Sequence, residues 1–503
     1  MRYAMLLATL LTGACEVGPD YHRPAAIDSP GYKELSGWKR STPMDAIDRG
    51  AWWSIYRDPV LDHLERRVSV SNQNLKAAQA AYEQAQTVVQ QARAGFWPTL
   101  TLSAGVTRES FGSGGGSLTV GGIGSGAGIG GSGSAAHTVY NLQGGASWEP
   151  DLWGKIRRTV ESDVAAAQAS AADVSSAKLS AEAMLATDYF NLRAEDALAR
   201  LLRDTVVQYR RALDITQNQY NAGVAARSDV IQAETQLQTV QAQLIAVGVQ
   251  RAQYEHAIAV LAGEPPAALA IPPGALASRV PVVPAGLPSA LLERRPDVAA
   301  AERTMQQQNA LIGVQVAAFF PTVTLSANYG YEGSALGSLI SVANRVWSLG
   351  AAASETLFAG GVRTAAVAQA RAAYEQSVAN YRQAILTAFQ QVEDQLAALR
   401  ILEQQAAAEA VAVRSAEQAL QIALNEYRAG TAAYTAVITA QETALSDEVT
   451  LLSIQQSRLV ASVALIEALG GGWDTSRLPT KDELQKWNPI LPSGPIMRPL
   501  RNP

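Results

Sequence analysis

The chain has 503 residues, of which 48% are hydrophobic and only 6% aromatic, and its formal net charge at pH 7 is −5. This length allows two or three ordinary domains with a large core, and so small a charge excludes bulk electrostatic attraction to nucleic acid. Alanine and glutamine dominate long segments, a composition that favours closely packed helices.

The first fifteen residues have the pattern of a lipoprotein signal peptide. The apolar run Ala4–Ala14 follows Arg2 and is too short to cross a bilayer as a helix. Small residues precede Cys15, the only cysteine of the chain, as at a bacterial lipoprotein cleavage site. We therefore predict a signal peptide over residues 1–14 and an acylated Cys15 as the mature N-terminus. Cleavage at another position remains the alternative.

A lipid-anchored extended segment is predicted over residues 15–60. The first helical pattern then runs from Leu61 to Ala94, and Pro98 ends it because proline forces the preceding residue out of helical geometry.

Four segments next show a period of two, which marks strands with one apolar face. Thr99–Thr107 and Thr322–Glu332 alternate most regularly, and Tyr140–Trp148 and Trp347–Ser354 give the third and fourth cases. Segments of about ten such residues with aromatic residues near their ends fit transmembrane β-strands. An antiparallel sheet on a soluble core is the alternative. The glycine-serine run Gly112–Ser134 is interpreted as an extracellular loop between the first two strands.

Each strand pair leads into a very long helical stretch. Lys155–Asn221 contains no proline, and its apolar residues recur at spacings that alternate between three and four, as do those of residues 374–399. A mean spacing near 3.5 indicates coiled-coil packing, and a helix of about 65 residues extends roughly 100 Å. Return helices are predicted over about Ser228–Leu261 and Thr435–Leu469.

The chain contains two copies of this arrangement. Phe96–Ala104 returns as Phe319–Ala327, and Tyr220–Gly223 returns as Tyr427–Gly430. A period of about 200 residues is too long for a solenoid unit, so two duplicated halves are predicted. The predicted domains are repeat 1 over 61–264 with a strand hairpin at 98–149 and an α-hairpin at 155–262, a linker over 265–292, repeat 2 over 293–472 with a strand hairpin at 321–355 and an α-hairpin at 361–470, and a loose tail over 473–503.

Four strands cannot close a lipid-facing barrel, because the smallest single-chain barrels use eight. An open strand edge in a bilayer leaves backbone groups unpaired. If the strands span a membrane, the protein must pool strands from several copies, although the strand count does not fix their number.

Catalytic and metal-binding motifs are missing from the sequence. The four histidines, at positions 22, 63, 137 and 256, stand apart from one another without metal-ligand spacing. Gly126–Gly131 matches a dinucleotide-binding pattern by letters alone, because no strand precedes it and no helix follows. Neither a Walker lysine nor a Ser/His/Asp pattern is recognisable, so an enzyme is not predicted.

Several motifs together resemble the lipoprotein branch of the TolC-like outer-membrane efflux channels. They are Cys15 with Gly18–Pro24, Trp52-Trp53 with Asp58-Pro59, Arg295–Val298, the two Tyr-x-Ala-Gly turns and Gly470–Trp473. The resemblance implies an α+β membrane protein, a homotrimer with a twelve-stranded transmembrane β-barrel, four strands per chain, continued by a long periplasmic α-helical barrel. It also implies a periplasmic adaptor (membrane fusion) protein and an inner-membrane resistance-nodulation-division or major-facilitator pump as partners. No cofactor is implied beyond the lipid on Cys15.

The same resemblance places a periplasmic gate at the α-hairpin tips. The candidates for the gate or for adaptor contact are Tyr220, Gly223, Arg227, Asp229, Tyr427, Gly430, Tyr434 and Thr439. The family commonly has Leu-Asp-Ala-Gln after the second turn, and its aspartate helps to form an acidic constriction. Here the matching stretch is Ile438–Gln441, and Thr439 replaces the carboxylate. An N-cap role for Asp229 is the alternative, as is packing for Tyr220 and Tyr427.

The predicted function is that of a lipid-anchored exit channel in the bacterial outer membrane, passively conducting small molecules such as drugs and toxic compounds. One alternative is a type I secretion channel that passes whole proteins. An alternative of another class is a non-conducting periplasmic coiled-coil scaffold. The low methionine and histidine content disfavours a dedicated copper or silver duct.

Overall fold

The computed structural model describes residues 16–24, 32–35, 51–109, 136–281, 283 and 293–486. Three predictions fall outside this part of the chain: the signal peptide, the acylated Cys15 and the extracellular loop Gly112–Ser134. Residues 284–292 of the predicted linker and 487–503 of the predicted tail also lie outside it.

Long helices and one four-stranded sheet make up the described residues. In chain order the elements are α1 Pro59–Ser71, α2 Gln73–Ala94, β1 Thr99–Glu109, β2 His137–Trp148, α3 Lys155–Asn221, α4 Arg227–Leu261, α5 Pro296–Ala317, β3 Thr322–Gly333, β4 Arg345–Ser354, α6 Val362–Arg428, α7 Tyr434–Ala468 and α8 Lys481–Gln485. Helices α3 and α6 each have 67 residues, α4 and α7 each have 35, and α2 and α5 each have 22. The predicted combination of four strands with two long α-hairpins is confirmed.

The first helical pattern was predicted as one helix, and this is wrong because the chain breaks at Asn72. The side-chain oxygen of Asn72 accepts a hydrogen bond from the Leu75 amide (3.0 Å), and its amide group donates to the Leu261 carbonyl (2.9 Å). A Cβ on Gly263 would overlap the Ser71 carbonyl oxygen, so the backbones at the ends of α1 and α4 meet closely. Capping by Asn72 and this contact end α1 and begin α2.

The sheet is antiparallel throughout and has the order β1-β2-β3-β4. Thr99 pairs with Ser147, Trp148 pairs with Leu325, and Thr322 pairs with Ser354. Within the described residues, β1 and β4 each have one neighbour and form the two edges of the sheet.

The largest hydrophobic cluster lies where the N-terminal segment, α1, α3, α6 and α7 meet. Its bulkiest members include Trp52, Trp53, Tyr189 and Phe190, all buried. The Tyr189 hydroxyl donates to Asp58 (2.5 Å), whose carboxylate also caps the start of α1. Aromatic burial and this polar contact fix α1 against the middle of the long helices.

The segment after Cys15 is held along the helices by backbone and ionic contacts. The Val17 amide donates to the Trp153 carbonyl (3.3 Å), and Asp20 pairs with the buried Arg158 (2.7 Å). Farther along, Glu393 of α6 accepts hydrogen bonds from the Lys33 amide (2.6 Å) and the Glu34 amide (3.0 Å). The described parts of this segment, residues 16–24 and 32–35, therefore contact α3 and α6, and we call them the strap.

The prediction of a loose C-terminal tail is wrong for residues 473–486. Trp473 is buried against Ala172 of α3 and Ala299 of α5. Leu484 of α8 is buried in the cluster of α2 and α3, and Thr480 begins α8 with a capping box to Glu483. Burial of an indole and a leucine holds this part of the tail on the helices.

One described helix, α7, is long and apolar enough by length and composition to cross a membrane. It packs against α6 and α3 along its length, and its buried residues belong to clusters shared with those helices. Packing on these helices accounts for part of its apolar character, because 39% of its most apolar 18 residues are buried in the single chain.

An acidic side chain is buried in α1 without a hydrogen-bonding partner. Glu65 is 0% exposed, and neither of its carboxylate oxygens has a partner in the described part of the chain. Burial raises the pKa of Glu65 well above 4.5, and the neighbouring carboxylates Glu182 and Asp62 raise it further. Glu182 itself accepts from the Trp52 indole (3.2 Å) and lies 3.6 Å from the Lys178 ammonium.

The substitution Glu65→Gln should make the loss of stability at rising pH shallower. A folded state that holds this proton more tightly than the unfolded chain loses stability as the pH rises from 4.5 toward the folded-state pKa. We expect the stability difference between the wild type and the variant to be smallest below pH 4.5 and to grow in favour of the variant as the pH rises, because only the wild type carries this titratable proton. Thermal unfolding followed by circular dichroism over a pH series measures it. The exposed Glu83→Gln on α2 is the matched control, and identical pH slopes for the two variants would contradict the prediction.

Candidate functional site

The sheet has two chemically different faces. Cross-strand partners share a face, and on one side Leu100 aligns with Ala146, Ala327 and Leu349. On the other side Thr101 aligns with Gly145, Asn328 and Ser348 in the same way. Large apolar side chains on the first of these faces are exposed in the single chain, among them Leu100, Leu102, Trp347 and Leu349. One face therefore suits lipid and the other suits water.

Aromatic residues bracket the apolar face along the strands. Trp148 lies beside Leu325 near one end, and Tyr329 lies beside Trp347 toward the other. Tyr331 follows on the same face, and its ring packs edge-on against that of Tyr329 at 6.1 Å. From Leu325 to Tyr331 the strand rises about 20 Å. Aromatic girdles at both ends of an apolar band are typical of outer-membrane strands.

The edges of the sheet leave its backbone incompletely paired. The described residues offer no second neighbour to β1 or β4. In hydrocarbon an unpaired strand edge costs several kcal/mol per backbone group, because no water can replace the missing partner. A sheet with this apolar face can enter a bilayer only when further strands continue it.

At the opposite end of the molecule, each α-hairpin turns at a glycine in the left-handed conformation. Gly223 has φ 75° and Gly430 has φ 73°. The Val224 amide donates to the Gln219 carbonyl, and the Thr431 amide donates to the Glu426 carbonyl, both at 2.9 Å. These bonds satisfy the last carbonyls of α3 and α6, as glycine caps of this kind do.

The structure separates the predicted tip residues into two groups. Tyr427 and Tyr434 are buried, whereas Tyr220 is 40% exposed and Asp229 partly exposed. The remaining candidates are exposed: Gly223, Arg227, Gly430 and Thr439. Packing, the alternative considered for Tyr427, therefore describes its place in the single chain.

The two hairpins meet through an uncharged contact that we call the tyrosine clamp, formed by Thr216, Ala233, Tyr427, Tyr434 and Val437. The rings of Tyr427 and Tyr434 lie 5.0 Å apart at 58°. Ala233 of α4 joins Tyr427, Tyr434 and Val437 in one buried cluster. Thr216 of α3 is fully buried, and its side chain lies close enough to both tyrosine hydroxyls to lower their pKa values in opposition to burial. Burial raises the pKa of Tyr434 to about 12. Its phenol therefore stays neutral at physiological pH.

Polar contacts between the hairpins are few. The Gln219 side chain donates to the Tyr427 carbonyl (3.5 Å), and Gln236 donates to Glu442 (2.7 Å). The Tyr427 hydroxyl is buried and makes no hydrogen bond of good geometry among the described residues, and Thr216 is the polar side chain beside it. Most of the contact is therefore packing.

The charged residues of the first tip have local roles. Helix α4 begins at Arg227 with Ala226 as its N-cap, so the alternative of Asp229 as N-cap is wrong. Asp229 lies in the first helical turn, where the partial positive charge of the helix end favours a carboxylate, and its Oδ1 is 3.3 Å from the Ser228 hydroxyl. On the second hairpin the Thr439 hydroxyl donates to the Thr435 carbonyl of its own helix (3.1 Å).

Three members of the tyrosine clamp were not among the predicted site residues: Thr216, Ala233 and Val437. Thr216 occupies a position in the three-and-four spacing of α3, and that spacing was the available signal. The spacing marks a buried seam but does not say which helix covers it. Among the described residues, no group of three or more His, Cys, Asp or Glu side chains is placed to hold a metal ion.

The variants Tyr427→Phe and Tyr427→Ala should separate the hydroxyl of the tyrosine clamp from its ring. Loss of a buried hydroxyl that makes no hydrogen bond of good geometry should leave local stability nearly unchanged. Loss of the ring should cost about 2–4 kcal/mol, as large-to-small substitutions in cores do. Amide hydrogen exchange over residues 420–440 measures this local opening, with Tyr220→Ala as the exposed control. Equal exchange in Tyr427→Ala and the control would contradict a packing role.

A family model described as "Outer membrane efflux protein" matches residues 66–264 and 287–471 of this chain. These two segments correspond closely to the two halves seen in the sequence, and together they cover most of its length.

Named relatives are similar over nearly the whole chain. The toluene efflux pump outer membrane protein TtgC of Pseudomonas putida is 28% identical over 474 residues, 93% of this chain and 95% of that protein. The pyoverdine export outer membrane protein OpmQ of Pseudomonas aeruginosa is 30% identical over 484 residues, 94% of this chain and 97% of that protein. The solved open state of the Neisseria gonorrhoeae MtrE outer membrane channel matches with a TM-score of 0.77 and 26% identity, over 92% of this chain and 99% of the other.

Proposed function

Because this chain belongs to the outer membrane efflux protein family, we propose that it is the exit channel of a tripartite efflux pump. It is an outer-membrane efflux protein whose long helices extend into the periplasm. The observation that carries the finer proposal is the four-stranded sheet, with one apolar face, one polar face and two open edges.

The channel is a homotrimer. Four strands per chain are too few for a closed barrel, so several copies must join. The number three is what the resemblance to the TolC-like channels implies, and it gives a barrel of twelve strands. Closure pairs the open edges of the sheets and directs the apolar faces to lipid and the polar faces to the lumen. Helices α3, α4, α6 and α7 of the three copies continue the wall into the periplasm.

Conduction through this channel is passive. The sequence contains no Walker lysine or other recognisable nucleotide site, so the energy comes from a resistance-nodulation-division or major-facilitator pump in the inner membrane, joined by a periplasmic adaptor. The named relatives favour small-molecule cargo over whole proteins, because TtgC is named for toluene efflux and OpmQ for pyoverdine export.

The gate lies at the hairpin tips and opens by an iris-like untwisting of the α-hairpins when the adaptor docks. The tyrosine clamp is the contact that must slide, because it joins the α3–α4 hairpin to the α6–α7 hairpin. Thr439 stands where the family commonly has an aspartate, so we propose a tip held by packing instead of an acidic ring. The similar MtrE channel has been solved in an open state, which supports a channel that opens.

A strain that lacks this protein tests the function, against a panel of antibiotics, solvents, metals and secreted proteins. We expect increased susceptibility to small molecules, restored by the wild-type gene. Loss of a secreted protein without any change in susceptibility would instead favour type I secretion. Absence of single-channel conductance in planar bilayers would favour the scaffold.

Cross-linking the tip should abolish export. Val224→Cys with Thr431→Cys places thiols directly after the two tip glycines, and a short bifunctional maleimide joins them. Because the hairpins could then not separate, susceptibility should approach that of the deletion strain. The two single variants treated in the same way are the controls. Undiminished export by fully cross-linked protein would rule out this gate.

Acylation anchors the mature chain at Cys15. Palmitate labelling in cells should mark the wild type and be lost in Cys15→Ala, because the only thiol of the chain has gone. Ser41→Ala, within the predicted N-terminal segment, is a control that should keep the label. Equal labelling of Cys15→Ala would contradict the anchor.

A further inference from the structure

The two halves of the chain place equivalent residues at equivalent points of the sheet. Thr99 follows Pro98 and pairs with Ser147, and Thr322 follows Pro321 and pairs with Ser354. Ser147 and Ser354 each lie eight residues before the next long helix (155 − 147 and 362 − 354). The β1–β2 and β3–β4 hairpins therefore have the same register relative to the flanking helices.

Within one chain, an aromatic contact closes the junction between the halves. The turn from β2 to α3 carries Trp153, which stacks on Phe320 at the end of the α5–β3 turn, with ring centroids 4.8 Å apart and planes 23° apart. The Trp153 indole also donates to the Pro321 carbonyl (2.8 Å). Strands β2 and β3 pair directly beside this contact.

The equivalent of this junction is open in the single chain. Trp97 is the counterpart of Phe320, because each stands directly before the proline that precedes a strand. Gly360 is the counterpart of Trp153, because each stands directly before the glycine that caps a long helix. Trp97 is 56% exposed. A Cβ on Gly360 would meet no described atom within 4 Å.

The rest of the β4–α6 turn is apolar and exposed as well. Phe358 is 88% exposed, and Leu357 beside it is almost fully exposed. Large apolar side chains are rarely left together in water on a turn, so this patch indicates a covered surface.

A second copy of this chain supplies what the open junction lacks. Strand β4 has the place of β2 in its hairpin, and β1 has the place of β3, so β4 of one copy can continue into β1 of the next as β2 continues into β3. The two junctions differ in the size of their side chains. The first has Trp153 beside Phe320, whereas the second has Gly360 and leaves space for the larger indole of Trp97.

We propose that Trp97 of one copy packs on the turn Leu357–Gly361 of a second copy, in the place that Phe320 takes beside Trp153 within one chain. The contact lies at the end of the sheet where β1 begins and β4 ends, and it buries the exposed Leu357 and Phe358. It rests on the proposed assembly of several copies and adds to it the residues that join them.

Thiol cross-linking in isolated outer membranes tests the contact. Trp97→Cys is combined in turn with Phe358→Cys and with Ala359→Cys, and each protein is treated with a short bifunctional maleimide. We expect covalent dimers and trimers on denaturing gels. The matched pair Trp153→Cys with Phe320→Cys should give only intramolecular products. Trp97→Cys with Val224→Cys should give no product between the two positions, because one lies beside the sheet and the other at the distant hairpin tip.

Native mass spectrometry of the wild type separates this proposal from the proposed function. A trimer whose Trp97→Cys pairs do not cross-link overturns the contact and leaves the exit channel intact. A wild type without any oligomer overturns both.

A single substitution tests the contact where a double variant does not reach the membrane. Trp97→Ala should lower the temperature at which the oligomer dissociates in detergent, while the helical circular dichroism of the chain stays unchanged. Phe320→Ala should instead weaken the fold of each chain. Dissociation of Trp97→Ala at the wild-type temperature overturns the proposal.

Discussion

The rest of the structure depends on the requirement that every backbone hydrogen-bonding group of a membrane strand has a partner. Four antiparallel strands satisfy this requirement internally except along β1 and β4. The edges lie in the same sheet as an apolar face that water disfavours, so neither problem can be solved by one chain alone. In the proposed assembly, the backbone groups that keep the single chain out of lipid are those through which neighbouring copies join.

A narrow sheet also needs a rigid continuation, and the helical part supplies it by packing with few specific polar contacts. Helices α3 and α6 are 67 residues each, and small side chains such as Ala172 and Ala299 let neighbouring helices approach closely. Polar contacts are concentrated where irregular segments are fastened. Arg158 holds Asp20 of the strap, and Asp58 joins α1 to Tyr189. The long helices are therefore fastened near the sheet and at their middle, and the two hairpin tips are the ends where the described residues make no such contacts.

Periodicity in the sequence predicted the strands and long helices closely, because one buried face repeats every two or every three to four residues. Periodicity gave wrong predictions where a single tertiary contact determines the local structure. Asn72 separates α1 from α2 by donating a hydrogen bond to the Leu261 carbonyl, nearly 200 residues away. Trp473 is buried by α3 and α5, which are distant from it in the sequence. The tip residues show the same limit, since the spacing marked Thr216 as a seam position but could not identify the hairpin that covers it.

Replacement of charge by packing at the tip has a physical consequence for gating. A carboxylate ring resists closure by repulsion and responds to pH and salt, whereas an aromatic contact is short-ranged and nearly independent of both. Thr439 is bonded to its own helix, and Asp229 to its own first turn, so neither ties one hairpin to the other. The tyrosine clamp loses its contacts within the first few ångströms of sliding. In the proposed gate, an adaptor that shifts the hairpins slightly would remove most of this resistance at once, which favours a tip with two states over one that opens gradually.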